Sequence, residues 1–484
     1  MVQSTTRKPS LLMAFIPIIF LIALLAINVV FYTDNSSYGP NQIALILAAV
    51  VAALLAGKLG YKWTEIRDGI VKSISSAMSA ILILLLIGSL AGTWLISGVV
   101  PAMIYYGLQI LSPTIFLAAA CIISAVVSLA TGSSWSTIAT VGIALLGIGE
   151  VLGFNTGMVA GAVISGAYFG DKMSPLSDTT NLAPAMAGTD LITHIKYMMY
   201  TTIPSIGITL VIFIVLGFTG SGGNDTGGNI QPVLEAIQAK FYISPILFLV
   251  PALVIFMIIK KVKAIPALFA GTIIGALFAI FFQADIIEQV AGETKNFFET
   301  AYKATLQAMY TDVSIATGNA DVDKLLSTGG MAGMMNTIWL IICAMIFGGV
   351  MEHCKFLATI TDSIIKKVKS DGDLVAATAA TCVFFNTTAS DQYLAIVVPG
   401  RMYAKTYEDR GLTPENLSRT LEDSGTVTSV LIPWNTCGAY QSGVLGIATF
   451  TYLPYCFFNI ISPLMTILFA YAKIKIQKTS TAKS

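Results

Sequence analysis

Residues 161–184 read GAVISGAYFGDKMSPLSDTTNLAP. The stretch begins as an apolar helix of small residues and then meets Pro175, which has no N–H to donate and displaces Ser174 from helical angles. The helix is therefore predicted to break at 173–181, which frees carbonyl and hydroxyl oxygens. Within a membrane, such backbone survives only where protein or a water-filled cavity surrounds it. The stretch therefore predicts a broken helix that lines a polar site.

The composition places this break in a membrane protein. Of the 484 residues, 55 % are hydrophobic and only 11 % are charged, and the mean hydropathy is +0.79. A soluble domain carries about 25 % charged residues, so a soluble enzyme is excluded on composition. The net charge of +1 offers no global field for nucleic acid, and no nucleic-acid partner is expected. No resident cofactor is expected either.

Apolar runs long enough for membrane helices recur along the whole chain. They lie at 10–32, 40–57, 74–97, 112–130, 137–153, 155–170, 197–218, 243–260, 264–282, 337–352, 373–385, 425–449 and 452–473. The pattern predicts an all-α, multi-pass protein in a lipid bilayer. Some runs are too short to span alone, which indicates hairpins that enter and leave on one side.

The first run is predicted to be a retained membrane helix rather than a signal peptide, because it exceeds the usual ~7–15 apolar residues and shows no small-x-small cleavage pattern. Basic clusters lie at the N-terminus, 58–72, 260–263, 366–369 and 473–478. The positive-inside rule then predicts both termini in the cytoplasm. The loop 401–419 carries both signs of charge, and its side stays open.

The chain divides at a glycine-rich linker, 219–242, into halves 1–218 and 243–484. Each half passes through the same sequence of apolar runs and polar breaks, and the opposite ends of their first runs are cytoplasmic. The halves are therefore predicted to be inverted-topology repeats, the common plan of secondary transporters. The second half carries an insertion, 283–336, which is predicted to lie outside the membrane.

Polar tips interrupt apolar sequence in both halves. Residues 131–135 (TGSSW) and 386–391 (NTTASD) are predicted to be the tips of two re-entrant hairpins. Residues 433–438 (PWNTCG) are the second-half counterpart of the break at 173–181. Half-helix ends at such breaks present partial charges to ions.

Acidic residues within a membrane are costly and usually mark ion or proton pathways. Asp178 is the main candidate, because it has no basic neighbour and lies among hydroxyl and amide oxygens, which hard cations prefer. A Na⁺ site is predicted at Asp178, Ser133, Ser177 and Asn181. The full set of candidate ion- and proton-binding residues is Asp178, Asp171, Thr131, Ser133, Ser134, Ser177, Thr179, Asn181, Asn386, Thr387, Asp391, Glu422, Asp423, Asn435 and Thr436.

Plain structural roles compete for several of these charged residues. Asp171 could pair with its neighbour Lys172 near an interface, and Asp391 could cap a helix. Arg419 is interpreted as a surface partner of the nearby acids, and His194 as a solvated histidine.

The stretches 131–137 and 161–184 closely resemble the NhaC family of bacterial Na⁺/H⁺ antiporters, and 386–391, 418–425 and 431–438 are also similar to that family. The resemblance covers about residues 10–475. It implies two hairpins and two broken helices carried in a moving, elevator-type transport domain, against a scaffold that often forms a homodimer. It also implies a location in the bacterial inner membrane.

The function expected from residues and resemblance together is exchange of Na⁺ for H⁺, with both ions competing for one carboxylate, Asp178. Family members that resemble Na⁺-coupled malate/lactate exchangers keep an organic-acid substrate open. A cation channel is a further alternative, because midplane polar loops suit one too. No HExxH, GxSxG, Walker or Rossmann pattern lies in a suitable context, so an enzyme is not expected.

Overall fold

The computed structural model describes residues 7–32, 36, 38–220, 230–318, 320–366 and 368–479, and these are predominantly helical. The helices of the first half are α1 (Leu11–Tyr32), α2 (Pro40–Lys58), α3 (Trp63–Ser76), α4 (Met78–Ile96), α5 (Val99–Ile110), α6 (Phe116–Thr131), α7 (Ser134–Thr137), α8 (Ile143–Val151), α9 (Thr156–Met173), α10 (Asp178–Ala187) and α11 (Leu191–Gly220).

The second half adds helices and one short strand pair. Its elements are α12 (Ile230–Lys240), α13 (Leu249–Ile259), α14 (Ala264–Phe282), α15 (Ala284–Ala291), α16 (Phe297–Tyr310), β1 (Val313–Ser314), α17 (Ala320–Leu325), β2 (Ser327–Thr328), α18 (Gly330–Gly333), α19 (Met335–His353), α20 (Phe356–Ile365), α21 (Asp371–Thr388), α22 (Gln392–Asp409), α23 (Pro414–Leu421), α24 (Thr436–Leu445), α25 (Thr449–Tyr452) and α26 (Phe457–Tyr471).

Eight helices in the described part of the chain are long and apolar enough to cross a membrane, and two bent helix pairs raise that number to ten. Their outward faces carry large apolar side chains: Leu12, Val30 and Phe31 are each more than 70 % exposed. Lipid can cover such faces, whereas water cannot without a large free-energy cost. The expectation of an all-α, multi-pass membrane protein is confirmed.

The segment α6–α8 forms a hairpin. The chain reverses at Gly132, and the rings of Phe116 at the start of α6 and Phe154 just after α8 stack with centroids 5.5 Å apart. Between α7 and α8 the residues Ile138–Gly142 form one π-helical turn. Both ends of this hairpin therefore lie at one level. Its arms, Pro113–Thr131 and Ser134–Val151, are each long and apolar enough to cross a membrane, so the re-entrant course stays a prediction.

A second hairpin joins α21 to α22. The hydroxyl groups of Thr381 and Tyr403 are 2.9 Å apart, and Arg410 at the far end of α22 contacts Asp371 at the start of α21. Such contacts require antiparallel helices with the turn at 389–391. The predicted hairpin tips at 131–135 and 386–391 therefore coincide with observed turns.

Each hairpin is followed by a broken helix. The first consists of α9 and α10, and the second runs from α23 through a π-helical turn, Glu422–Thr426, and an irregular stretch to α24. Thr179 at the start of α10 contacts Glu422, and Thr189 just after α10 contacts Glu415 at the start of α23. The two broken helices therefore run antiparallel along each other, as inversion of the two halves would require.

Close packing of α6 on α9 depends on small residues. A Cβ atom added to Gly166 or Gly170 would overlap the backbone carbonyl oxygens of Cys121 and Ala125 in α6. Helices in membranes approach closely where such residues line the contact. The pair α6 and α9 therefore forms a tight unit that fixes the first hairpin against the first broken helix.

The predicted linker and the predicted insertion both contain regular secondary structure. Residues 230–240 of the predicted linker form α12, whose apolar residues at 230, 233, 234 and 237 share one face, while 221–229 lie outside the described residues. Within the predicted extramembrane insertion, α16 packs on the candidate spanning helix α4, where Ser89 donates a hydrogen bond to the Met309 carbonyl at 3.0 Å. Part of the insertion therefore lies against the bundle.

The same insertion contains the β1–β2 pair, whose connection is held by one carboxylate. Asp323 accepts hydrogen bonds from the Thr317 amide at 2.6 Å and hydroxyl at 2.7 Å. These bonds favour the ionised form and lower the pKa of Asp323 from its ordinary value.

The buried apolar residues form two separate clusters. The larger one includes α1, α2, α4, α19 and much of the two broken helices. The smaller one lies where α10, α21, α22, α23 and the end of α26 meet, and Tyr403, Tyr407 and Leu417 belong to it. The chain therefore has a second core around the second hairpin.

Candidate ion-exchange site

The first hairpin tip rests directly on the first helix break. Gly132 has φ +69°, and a Cβ there would lie 2.6 Å from the Leu176 Cβ and 2.9 Å from the Ser177 nitrogen. Ser174 at the break donates its hydroxyl to the Leu129 carbonyl of α6 at 2.8 Å. The two polar interruptions predicted from the sequence therefore form one unit.

Asp171 joins this unit from the last turn of α9. Its Oδ2 accepts hydrogen bonds from the Ser134 amide at 3.0 Å and the Ser134 hydroxyl at 2.7 Å. It also interacts with the Ser177 side chain. The alternative that Asp171 pairs with Lys172 near an interface is wrong: Asp171 is 7 % exposed and faces the hairpin tip.

Lys172 instead forms a buried ion pair with Asp423 of the second broken helix. Both side chains are 0 % exposed. Ser462 of α26 accepts a hydrogen bond from the Lys172 ammonium at 3.0 Å, and Thr201 of α11 donates to Asp423 at 2.7 Å. A buried charge is tolerated only when it is paired in this way.

Glu422 lies beside this pair and is only partly satisfied. Its Oε1 accepts a hydrogen bond from Thr179 at 3.1 Å, and the Thr179 and Ser177 hydroxyls are 3.1 Å apart. Its Oε2 is buried and has no hydrogen bond of ordinary geometry among the described residues, although the Thr426 side chain interacts with this carboxyl group. A carboxylate oxygen buried without a donor is expensive unless a proton or a cation occupies it.

These contacts form a continuous polar path across the two broken helices. It runs from Ser134 through Asp171, Ser177 and Thr179 to Glu422. Every group along it is an oxygen donor of the kind that hard cations prefer.

Asp178 lies at the accessible side of this path. It occupies the exposed first turn of α10, and the described residues offer it no hydrogen bond. It is near enough to Asp171 for an electrostatic interaction between the two carboxylates. Asn181 is exposed too, and its amide donates to the carbonyls of Pro175 and Ser177 at 3.0 and 2.6 Å.

The remaining first-half candidates make local contacts. Ser133 caps α7 by accepting the Ser136 amide at 3.1 Å. The Thr131 hydroxyl lies 3.4 Å from that of Thr137, which donates to the Ser133 carbonyl at 2.9 Å. These residues hold the shape of the hairpin tip.

The second hairpin tip is tied to the second break by paired amides. Asn435 donates from Nδ2 to the Asn386 carbonyl at 3.0 Å and to its Oδ1 at 3.1 Å, and Asn386 donates to the Gly425 carbonyl at 2.7 Å. The Thr436 amide donates to the Ser390 carbonyl at 2.9 Å. Each half of the chain therefore joins its own hairpin tip to its own helix break.

Asp391 and Thr387 have mainly structural contacts in this tip. Asp391 caps α22 by accepting the Leu394 amide at 2.9 Å, which confirms the capping alternative for this residue. Thr387 donates its hydroxyl to the Val383 carbonyl of its own helix at 2.9 Å.

Two interpretations from the sequence are wrong. His194 is not solvated: it is 0 % exposed, and its Nδ1 lies 2.8 Å from the Ser418 hydroxyl. Arg419 is not on the surface either: its guanidinium lies 4.7 Å from the centre of the Tyr197 ring, within the protein. His194 was placed near an interface because Lys196 is close in sequence, and Arg419 on the surface because Glu422 is close, whereas packing of α11 on α23 covers both residues.

The described residues contain no group of three or more His, Cys, Asp or Glu side chains that could hold a metal ion as a resident cofactor. The six cysteines are free and buried. Na⁺ would be cargo rather than a cofactor here.

A multi-pass helical bundle with two antiparallel broken helices that meet at buried charges has the architecture of a secondary transporter. Comparison with known proteins identifies the family. The chain belongs to the Na⁺/H⁺ antiporter family, whose family model matches residues 166–474. The resemblance to NhaC antiporters is therefore confirmed.

Curated relatives match nearly the whole chain. It is 37 % identical over 437 residues to the Na⁺/H⁺ antiporter NhaC of Alkalihalophilus pseudofirmus, covering 90 % of this chain and 91 % of the relative. It is 37 % identical over 434 residues to the malate-2H⁺/Na⁺-lactate antiporter of Bacillus subtilis, covering 89 % of each. It is 35 % identical over 472 residues to the arginine/ornithine antiporter ArcD of Halobacterium salinarum, covering 96 % of this chain and 92 % of the relative.

Proposed function

We propose that this chain exchanges Na⁺ for H⁺ across the bacterial cytoplasmic membrane, at the polar path between the two broken helices. The observation that carries the proposal is Glu422, a buried carboxylate whose Oε2 has no hydrogen bond of ordinary geometry among the described residues. Membership of the Na⁺/H⁺ antiporter family supports the same function.

The acids along the path provide a route of increasing burial. Asp178 is exposed, Asp171 is 7 % exposed and Glu422 is 0 % exposed. In the proposed mechanism a cation first meets Asp178 and is then held by carboxylate and hydroxyl oxygens between Asp171 and Glu422. Ser177 and Thr179 supply the hydroxyls that bridge these acids.

Charge neutrality makes the exchange obligatory. The Lys172 ammonium is matched by Asp423, so the three acids of the path have no dedicated cation of their own. Moving an uncompensated carboxylate through hydrocarbon is costly. The transporter therefore reorients with either Na⁺ or protons on these acids, and the two ions compete for the same oxygens.

The movement itself is proposed as an elevator. The two hairpins and the two broken helices, with the ion path between them, would travel as one body against the remaining helices. The halves 1–218 and 243–484 would be inverted equivalents, both termini would face the cytoplasm, and the scaffold could form a homodimer.

An organic-acid exchanger is the second candidate, since one relative is a malate-2H⁺/Na⁺-lactate antiporter. A substrate carboxylate needs a free cationic partner or well-placed donors. Lys172 is the cation of the stretch 161–184, and its ammonium is already paired with Asp423. A dicarboxylate would also meet Asp171 and Asp178 as like charges. The geometry therefore favours cation-only exchange.

The test is flux in proteoliposomes containing a pH-sensitive dye. An imposed inward Na⁺ gradient should make the interior alkaline, and lactate or malate should not raise the Na⁺ flux. Asp178→Asn should abolish the response while the protein still inserts, whereas Asp285→Asn, which changes an exposed acid far from the path, should not.

Three outcomes would contradict the proposal. Normal exchange in Asp178→Asn would remove that residue from the mechanism. Strict dependence of Na⁺ flux on an organic acid would establish the exchanger instead. Unitary currents in planar bilayers would identify a channel.

A further inference from the structure

An apolar groove of about 300 Å³ lies at the end of the bundle where α1 begins and α26 ends. Leu11 and Phe15 of α1 and Ile364 of α20 form one wall, and Ala377 of α21 and Tyr471 of α26 form the other. Its volume is at the lower end of the ~300–1,000 Å³ range of small-molecule sites. The protein's own side chains leave this space open.

The groove follows the boundary between the two apolar clusters. Residues of α1 and α20 pack with the larger cluster, whereas Ala377 and the end of α26 pack with the smaller one. Side chains of the two clusters leave a gap between them here, and the gap is wide enough to admit an apolar chain.

Exposed lysines lie next to lining residues of the groove in the sequence. Lys8 precedes the lining residue Leu11, Lys366 and Lys369 flank the lining residue Val368, and Lys473 follows Tyr471. All four ammonium groups belong to exposed residues at helix ends.

The nearby acids do not cancel this charge. Asp373 lines the groove, but it already accepts hydrogen bonds from the Tyr471 hydroxyl and the Ser370 amide, both at 2.9 Å. Asp362 is exposed on α20. Asp371, at the start of α21, is already paired with Arg410 and Lys478. Four lysines against three acids, two of which already have partners, leave a positive rim around an apolar slot.

We propose that this groove binds one molecule of an anionic phospholipid, with an acyl chain between the two clusters and the phosphate at the lysine rim. Basic side chains at the end of membrane helices attract anionic headgroups. A soluble anion would gain nothing from the apolar walls. A second copy of the chain placed symmetrically on this face would bring the lysines of the two copies together, and like charges repel. An anionic lipid therefore fits this face better than a dimer contact does.

The test uses the full-length protein in detergent and native mass spectrometry. Phosphatidylglycerol and phosphatidylcholine with identical acyl chains are titrated in parallel. The wild type should retain phosphatidylglycerol more tightly than phosphatidylcholine. Each lysine near a membrane surface contributes about fivefold to the affinity for an anionic lipid. The double variant Lys366→Gln/Lys369→Gln should therefore bind phosphatidylglycerol about 25-fold more weakly, with its affinity for phosphatidylcholine unchanged.

Two further variants separate the groove from general surface charge. Ser363→Phe, which fills the slot from α20, should reduce retention of both lipids. Lys260→Gln/Lys263→Gln removes two exposed lysines at another helix end and should change neither.

The proposal is overturned if the wild type retains both lipids equally, or if the two lysine pairs have the same effect. It is also overturned if Ser363→Phe keeps full lipid retention. A dimer that dissociates in Ser363→Phe without any preference between the lipids would assign the groove to a second copy.

Discussion

Breaking the buried ion pair between the two broken helices should destabilise the protein, by an amount that depends on which partner is removed. Lys172→Met leaves Asp423 with two hydroxyl neighbours, Thr201 at 2.7 Å and Ser462 at 3.3 Å. Asp423→Leu leaves the Lys172 ammonium with one hydrogen-bond partner, Ser462 at 3.0 Å, and with the Phe458 ring centre 5.5 Å away. Removing one partner of a buried pair costs about 3–5 kcal/mol in free energy of unfolding. We expect Asp423→Leu at the upper end of that range and Lys172→Met at the lower end, because a hydrogen bond to a charge contributes about 1.5–3 kcal/mol.

The double variant Lys172→Met/Asp423→Leu should be more stable than either single variant. It removes both charges of the pair at once, and an apolar pair of similar volume is often neutral or stabilising relative to a buried ion pair. The coupling energy between the two sites should therefore reach about 3 kcal/mol or more, at the top of the range for residues in contact.

The measurement is unfolding in mixed micelles of increasing SDS content, followed by tryptophan fluorescence. The exposed pair Glu299 and Lys303, which lies at 2.7 Å on α16, is the matched control: Glu299→Leu/Lys303→Met should show coupling of no more than about 0.5 kcal/mol. Additive effects of Lys172→Met and Asp423→Leu would refute the reasoning, as would a double variant less stable than both singles.

Glu422→Gln should abolish Na⁺-driven proton movement in proteoliposomes and leave the protein folded. Glu408→Gln, at an exposed site, should retain the proton movement. Normal exchange in Glu422→Gln would show that this carboxylate does not bind the exchanged ions. Gly132→Ala should destabilise the protein by about 1–3 kcal/mol more than Gly153→Ala, because both glycines have positive φ but only Gly132 meets neighbouring atoms; equal melting shifts would argue against contact between tip and break. Pepsin should cleave the β1–β2 segment more rapidly as the pH falls through the lowered pKa of Asp323. A carboxylate with a lowered pKa stabilises the fold at pH values above its ordinary pKa of about 4, and this stabilisation is lost when the carboxylate is protonated. Asp323→Asn should remove that pH step, and a step that persists in the variant would assign it to another group.

Local sequence chemistry predicted the interruptions of this fold. Pro175 cannot continue the hydrogen bonding of α9, and Gly132 readily takes the positive φ of the hairpin tip. Both effects are determined within a few residues, so the breaks and both hairpin tips could be located from the sequence. The sequence could not predict which acids of this stretch are buried. Asp171 is buried and Asp178 exposed because only Asp171 faces the first hairpin tip, and that depends on how the hairpin packs on the helix break.

Pairings between distant parts of the chain were beyond such reasoning. Lys172 and Asp423 belong to different halves, and no periodicity within either half relates them. His194 was expected near an interface because Lys196 lies nearby in sequence, and Arg419 was expected on the surface because Glu422 lies nearby. Their burial depends on how α11 covers α23, which is a property of the assembled bundle.

The π-helical turn at Glu422–Thr426 changes how the second broken helix is read as a helical wheel. A π turn closes its hydrogen bonds over one more residue than an α turn does. One extra residue corresponds to about 100° of rotation, so counting from α23 by 3.6 assigns every side chain beyond the turn to a wrong face. A related sequence aligned here with a single-residue gap would therefore present a different set of side chains to the ion path, although its composition would hardly differ.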